Sequence, residues 1–179
     1  MADLTSAIAV WGAALSTGLG VLEVVRQFSE RPKVTLYPSI GVATPGGYME
    51  ATVDRSGTIQ ASSWEQQSRL AAAGSPWAFA IRVVNTGRRP TTVAGLGLQT
   101  SDGNFVEDVQ FLPGSQRLPA RLDENEGRFL LIDAKWLFLG LESERVRLTG
   151  VRCTELTGHD TWCDPPRSIR GFVERIRQN

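Results

Sequence analysis

Residues 4–22 carry no charged side chain, and the first basic residues, Arg26, Arg31 and Lys33, follow only after that run. As α-helix at about 1.5 Å per residue, the run extends about 30 Å, the thickness of a bilayer's hydrocarbon core. A cleaved secretory signal requires a positive segment ahead of the apolar stretch. Asp3 is the only side-chain charge there, which argues against one. Large residues recur at Ile8, Trp11, Leu15, Leu19 and Leu22, at helical spacings of three and four. Small ones recur at Ala9, Ala13, Ser16 and Gly20, a pattern that lets helices approach closely. Lipid and neighbouring subunits both accept such a helix, whereas a small β domain seldom has a free apolar face wide enough for it. In lipid, the basic residues that follow would keep their end cytoplasmic and the N-terminus outside. Glu23 marks the end of the apolar run, and Pro32 stops the helix. Residues 1–31 are therefore expected to form one unit, a membrane anchor or an assembly helix.

The remainder has the composition of a folded domain. The whole chain is 41% hydrophobic and 21% charged with zero net charge, so it is not of the disordered class and has no global field to attract nucleic acid. Arginine far outnumbers lysine, a skew typical of GC-rich bacterial or phage coding. Two cysteines and one histidine leave little material for disulfides, metals or acid–base chemistry.

After Pro32 the hydrophobic period shortens to two, with Val34 and Leu36 alternating with polar neighbours. Gly46-Gly47 breaks the chain, and a second strand is expected over residues 48–53. Ser62 with Glu65, or Ser63 with Gln66, has capping-box spacing ahead of a short helix over residues 64–73 closed by Gly74, the alternative being an irregular loop. Residues 77–84 are the clearest strand, with Phe79, Ile81 and Val83 facing one way and Ala78, Ala80 and Arg82 the other. The Asn85-Thr86-Gly87 turn leads to a strand over 92–99, and Ser101-Asp102-Gly103-Asn104 marks a hairpin into 105–111.

Loops follow at Pro113, Gly114 and Pro119, and a turn at Glu124-Asn125-Glu126-Gly127. Residues 129–141 are densely apolar: a strand buried on both faces, then a short helix or a strand crossing to another sheet. In residues 145–153 the apolar parity switches at Thr149-Gly150, which predicts a β-bulge. The chain turns near Gly158 and returns through Trp162 and Cys163. Asp164-Pro165 opens a last helix with Ile169, Phe172, Val173 and Ile176 as its apolar stripe and Arg170, Arg175 and Arg177 on its wet side. Short strands with regular turn signals predict a mainly β fold, an immunoglobulin-like antiparallel β-sandwich over residues 32–164, preceded by the hydrophobic helix and followed by an amphipathic helix over 165–179.

Residues 79–98, FAIRVVNTGRRPTTVAGLGL, carry a resemblance. They are similar to the strand–turn–strand of an immunoglobulin-like domain in bacterial proteins, where an Asn-Thr-Gly turn joins two core strands. Such proteins pair the domain with an N-terminal hydrophobic helix and a short Arg-Pro linker, as Arg31-Pro32 forms here. A loop like Leu118-Pro119-Ala120-Arg121-Leu122 precedes their later strands. The resemblance implies a layout and a fold; it implies no activity.

Candidate chemistry is sparse. An odd-numbered loop centred on Gly158 puts Cys153 and Cys163 directly opposite and within reach of a disulfide. A two-residue loop at Gly158-His159 sends them to opposite faces as free thiols. Cys153, His159, Asp160 and Cys163 lack the knuckle spacing of a structural zinc site. No phosphate-binding glycine loop, nucleophile elbow or zinc-protease helix is present. Carboxylates such as Glu124, Glu126, Asp133, Glu142 and Glu144 are scattered over turns. The expectation is a non-enzyme without cofactor, metal, nucleic acid or small-molecule substrate. It would bind lipid through its helix and a protein, or a second copy of itself, through a sheet edge or loop. The alternative is a structural subunit of a large assembly such as a phage particle, with residues 4–25 packed between subunits.

Overall fold

Alternation of apolar and polar residues after Pro32 produces strands that segregate into two antiparallel sheets with a few short helices. The computed structural model describes residues 17, 19–24, 31–107 and 109–176, with Arg170 by its backbone alone. The first sheet has the order β2-β1-β3-β7, formed by Gly47–Glu50, Val34–Thr44, Trp77–Asn85 and Gly127–Asp133. The second has the order β5-β4-β8-β9, formed by Phe105–Val106, Thr91–Thr100, Leu148–Glu155 and Asp160–Cys163, and β6 (Ala120–Leu122) also pairs with β4. Besides the helical residues 17 and 19–24, the described fold has helices α1 (Ala61–Ala72), α2 (Ala134–Ser143) and α3 (Ser168–Ile176).

The parity read from β3 is the one observed. Trp77, Phe79, Ile81 and Val83 enter the main core, together with Leu96, Leu98, Val151 and Cys153 from the second sheet. Ala78 and Ala80 point to the other side, where Tyr48 and Leu112 cover them. The β4–β5 hairpin closes at Ser101–Asn104 as expected, with Leu98 opposite Val106. The parity switch also has its structural counterpart: Gln99 pairs with Gly150 but Thr100 with Leu148, so Thr149 is bulged out.

Several boundaries differ from expectation. Helix α1 begins at Ala61 with Gln60 at its N-cap and no side-chain cap. Ser63 is drawn inward instead, where its Oγ accepts a hydrogen bond from the Thr52 amide at 2.9 Å. The other end closes as read. Gly74 takes φ +98, and the amides of Gly74 and Ser75 bond back to Ala71 and Leu70, satisfying the last carbonyls. Strand β2 stops at Glu50, and β5 stops at Val106 because residues 110–116 turn aside to cover the outer edge of β7. There the Leu112 and Gln116 amides bond to the carbonyls of Leu131 and Phe129. That coverage hides an edge that would otherwise template strand addition.

Of the two readings for residues 134–141, the helix is observed. Asp133 caps α2 by accepting from the Trp136 amide at 2.9 Å. It starts where β7 ends and leads to the start of β8, so it spans from one sheet to the other at the pole opposite Pro32. Helix α3 starts at Ser168, later than the Asp164 cap predicted, because Pro165 and Pro166 extend the chain first. Its stripe is as read, with Phe172 fully buried. Arg175 lies over the Trp64 ring at 5.1 Å rather than in open solvent.

Candidate functional site

The most charge-free part of the sequence is only partly within the described residues. Ile8, Trp11 and Leu15 lie outside them, and so do Arg26 and Arg177. Leu19 and Leu22 are helical, with 66% and 65% of their surface exposed, and Val21 and Val24 between and after them are also more than half exposed. These side chains are not folded into the core. No helix among the described residues is long and apolar enough to cross a membrane.

The Asn-Thr-Gly turn joins the two sheets, and it also holds the segment through which the chain enters the domain. Asn85 is fully buried. Its Oδ1 accepts from the Gly87 amide at 3.0 Å and the Lys33 amide at 3.4 Å. Its Nδ2 donates to the carbonyls of Arg89 at 2.8 Å and Leu122 at 3.3 Å. Thr86 adds both its amide and its hydroxyl to the Lys33 carbonyl. Gly87 is pressed against the same segment: a Cβ there would lie 2.3 Å from the Arg31 carbonyl oxygen and 2.4 Å from the Lys33 nitrogen. The motif is thus a clamp on Arg31-Pro32-Lys33.

A second tie, built on a carboxylate, lies at this pole. Glu155, buried, accepts from the Thr91 hydroxyl at 2.5 Å and lies 3.6 Å from the His159 imidazole, which is exposed at the hairpin turn. It joins β4 to the end of β8. Sequence reading missed Glu155, whose position at the end of a strand looks like solvated surface.

The cysteines adopt neither of the two arrangements considered. The β8–β9 loop is centred on Thr157, so Cys153 stands opposite Thr161 and Cys163 opposite Val151. The two residues share a face but are staggered, and both thiols are free. Burial pushes Cys153 up to about 12 and Cys163 up to about 11, the neighbouring acidic groups Glu155 and Asp164 adding to the shift. Both stay protonated at neutral pH, which removes the nucleophilic thiolate. Native-state alkylation by iodoacetamide at pH 8, followed by mass spectrometry, should run more than about 100-fold slower than in urea. The sign for stability follows. The unfolded chain releases thiol protons above about pH 9 while the folded chain keeps them, so this contribution is complete below pH 8 and is lost as pH rises toward 11. Equal alkylation rates in both states would contradict the buried placement.

The outer face of the first sheet presents a different kind of site. Tyr37, Arg82 and Phe129 lie in one cross-strand row, Tyr37 opposite Arg82 and Arg82 opposite Phe129. All three are exposed. Tyr48 crosses from β2 to extend the row, with its ring 5.6 Å from Phe129 and its hydroxyl 2.9 Å from Ser39 Oγ. Burial raises the Tyr48 phenol well above its ordinary value. The Arg82 guanidinium lies 6.0 Å from the Phe129 ring and has no carboxylate partner among the described residues. Tyrosine, phenylalanine and arginine on a rigid sheet are the residues that anchor protein interfaces. Arg82 was read as outward-facing; its union with Tyr37 and Phe129 required the strand register.

Among the described residues, no group of three or more His, Cys, Asp or Glu side chains converges as metal ligands. No protein-family model matches the chain, and neither a curated protein nor a solved structure matches it significantly.

Proposed function

We propose that the chain is a non-enzymatic interaction module held at a bacterial membrane by residues 1–31. Its immunoglobulin-like β-sandwich of residues 32–164, with the C-terminal helix of 165–179, stands on the cytoplasmic side and binds another protein. The observation that carries this reading is the exposure of Leu19, Val21, Leu22 and Val24. A succession of uncovered apolar side chains is stable only when lipid or another chain covers it. The placement of Arg31 and Lys33 after the run favours lipid with a cytoplasmic C-terminal domain. The inner faces of two antiparallel sheets sharing one core, and the resemblance of residues 79–98, support the immunoglobulin-like assignment. The row of Tyr37, Arg82 and Phe129 is the face offered to the partner, since β7's edge is covered.

Fractionation of the full chain expressed in bacteria tests the anchor. The protein is expected in membranes that have been washed with high salt and then with carbonate. Leu15→Arg, which places a charge inside the apolar run at a cost of about 3 kcal/mol of insertion, should move much of it to the soluble fraction. Recovery of the unmodified chain as a soluble multimer would overturn the lipid reading and favour a subunit of a large assembly such as a phage particle.

A further inference from the structure

We propose that the cleft between α2 and α3 is a docking groove for a peptide segment of a partner protein in which acidic residues alternate with apolar ones. This inference rests on the reading of the chain as an interaction module and assigns the partner's chemistry at a second surface. The cleft has a volume of about 650 Å³ and an apolar floor of Phe138, Leu141, Val146, Leu148, Ile169 and Val173, with Pro165 and Pro166 along one side. Arg145, Arg147 and Arg167 rise around that floor. All three are exposed, and none has a carboxylate partner among the described residues. Glu142 and Glu174 also line the cleft, and neither is without a partner. Three arginines against two glutamates leave an excess of positive charge among the residues that line it.

Arginine matches carboxylates with paired, planar hydrogen bonds, and an apolar floor beside it selects side chains that follow the acid in sequence. Arg145 stands out further. It holds the left-handed position after α2 with φ 60, where its amide and that of Val146 bond back to Glu142 and Leu141. Helices usually place glycine there, since a side chain is unfavourable in that conformation. The groove opens at the pole opposite Arg31-Pro32-Lys33, away from the bilayer in the anchored protein, which favours a water-borne segment over the headgroups of the same membrane.

The test titrates full-length protein, in micelles of an uncharged detergent, with a fluorescent eight-residue peptide alternating glutamate with leucine or phenylalanine. The same peptide with lysine replacing glutamate is the control. The glutamate peptide is expected to bind at least about tenfold tighter than the lysine peptide. Combining Arg145→Gly, Arg147→Gln and Arg167→Gln should weaken it about tenfold. Arg145→Gly alone should weaken binding without lowering the melting temperature, which separates loss of a contact from loss of the fold. Equal affinity for the two peptides, or a triple variant that binds like the unmodified chain, would overturn the proposal. Binding of phosphatidylglycerol vesicles through the same arginines, with no peptide binding, would overturn it too. Membrane retention of the triple variant should match the unmodified chain; its loss from membranes, with peptide binding by the unmodified chain intact, would count against the anchor and not against the groove.

Discussion

Asn85→Ala should lower the unfolding free energy by about 4 kcal/mol, because one fully buried side chain serves four backbone groups, two of them through buried bonds. The amides of Gly87 and Lys33 would lose an acceptor, and the carbonyls of Arg89 and Leu122 a donor. Leaving a buried polar group unpaired costs about 1–3 kcal/mol, and the longer bonds to Lys33 and Leu122 sit at the low end of that range. Asn85→Asp should be worse: it keeps the acceptor but aims an oxygen at two carbonyls and buries a charge. Urea denaturation checks this, with a lower midpoint expected at unchanged slope. The loss should also be felt at Arg31-Pro32-Lys33, since the clamp holds that segment. Limited proteolysis in native buffer should cut the variant there faster than the unmodified chain. A midpoint shift worth less than about 1 kcal/mol would mean that the four groups find other partners.

The same residue shows where sequence reading succeeds and where it stops. Asn85-Thr86-Gly87 announces a turn because asparagine and glycine suit turn backbone. That the asparagine reaches inward to Lys33 and Leu122, 52 and 37 residues away in the chain, depends on tertiary packing and leaves no local trace. Elements with strong periodicity were legible. The parity of β3, the hairpin at Ser101–Asn104, the bulge at Thr149 and the apolar stripe of α3 all follow from side-chain alternation, which is a local property. Boundaries were less so. The capping-box spacings of Ser62 with Glu65 and Ser63 with Gln66 point to a later start, but the helix begins at Ala61 with no side-chain cap, and Ser63 accepts from Thr52 in a bond that no local spacing announces. The candidate surfaces were least legible, since Tyr37, Arg82 and Phe129 come from three strands and the arginines of the cleft from segments on either side of a hairpin.

The position of α3 makes the second large effect. Phe172→Ala should cost about 4 kcal/mol, in the range for emptying a fully buried aromatic site. Phe172 is completely inaccessible. Its ring lies 5.1 Å from Trp77, 5.9 Å from Phe138 and 6.2 Å from Trp64, in edge-on geometries that suit aromatic quadrupoles. Trp64 in turn stacks on Trp77 at 4.9 Å, so one side chain near the C-terminus joins α1, α2 and β3. A sequence reading sees α3 as an appended amphipathic helix, because its apolar stripe is narrow. Packed in place, it closes the core that α1 and α2 leave open at this pole. Losing Phe172 removes contact from both tryptophans at once, so their fluorescence should shift to longer wavelength before global unfolding. Leu139→Ala, at a half-exposed position on α2, serves as the matched control and should stay within about 1 kcal/mol of the unmodified chain. A Phe172→Ala loss no greater than that control would mean that α3 rests on the domain without completing it.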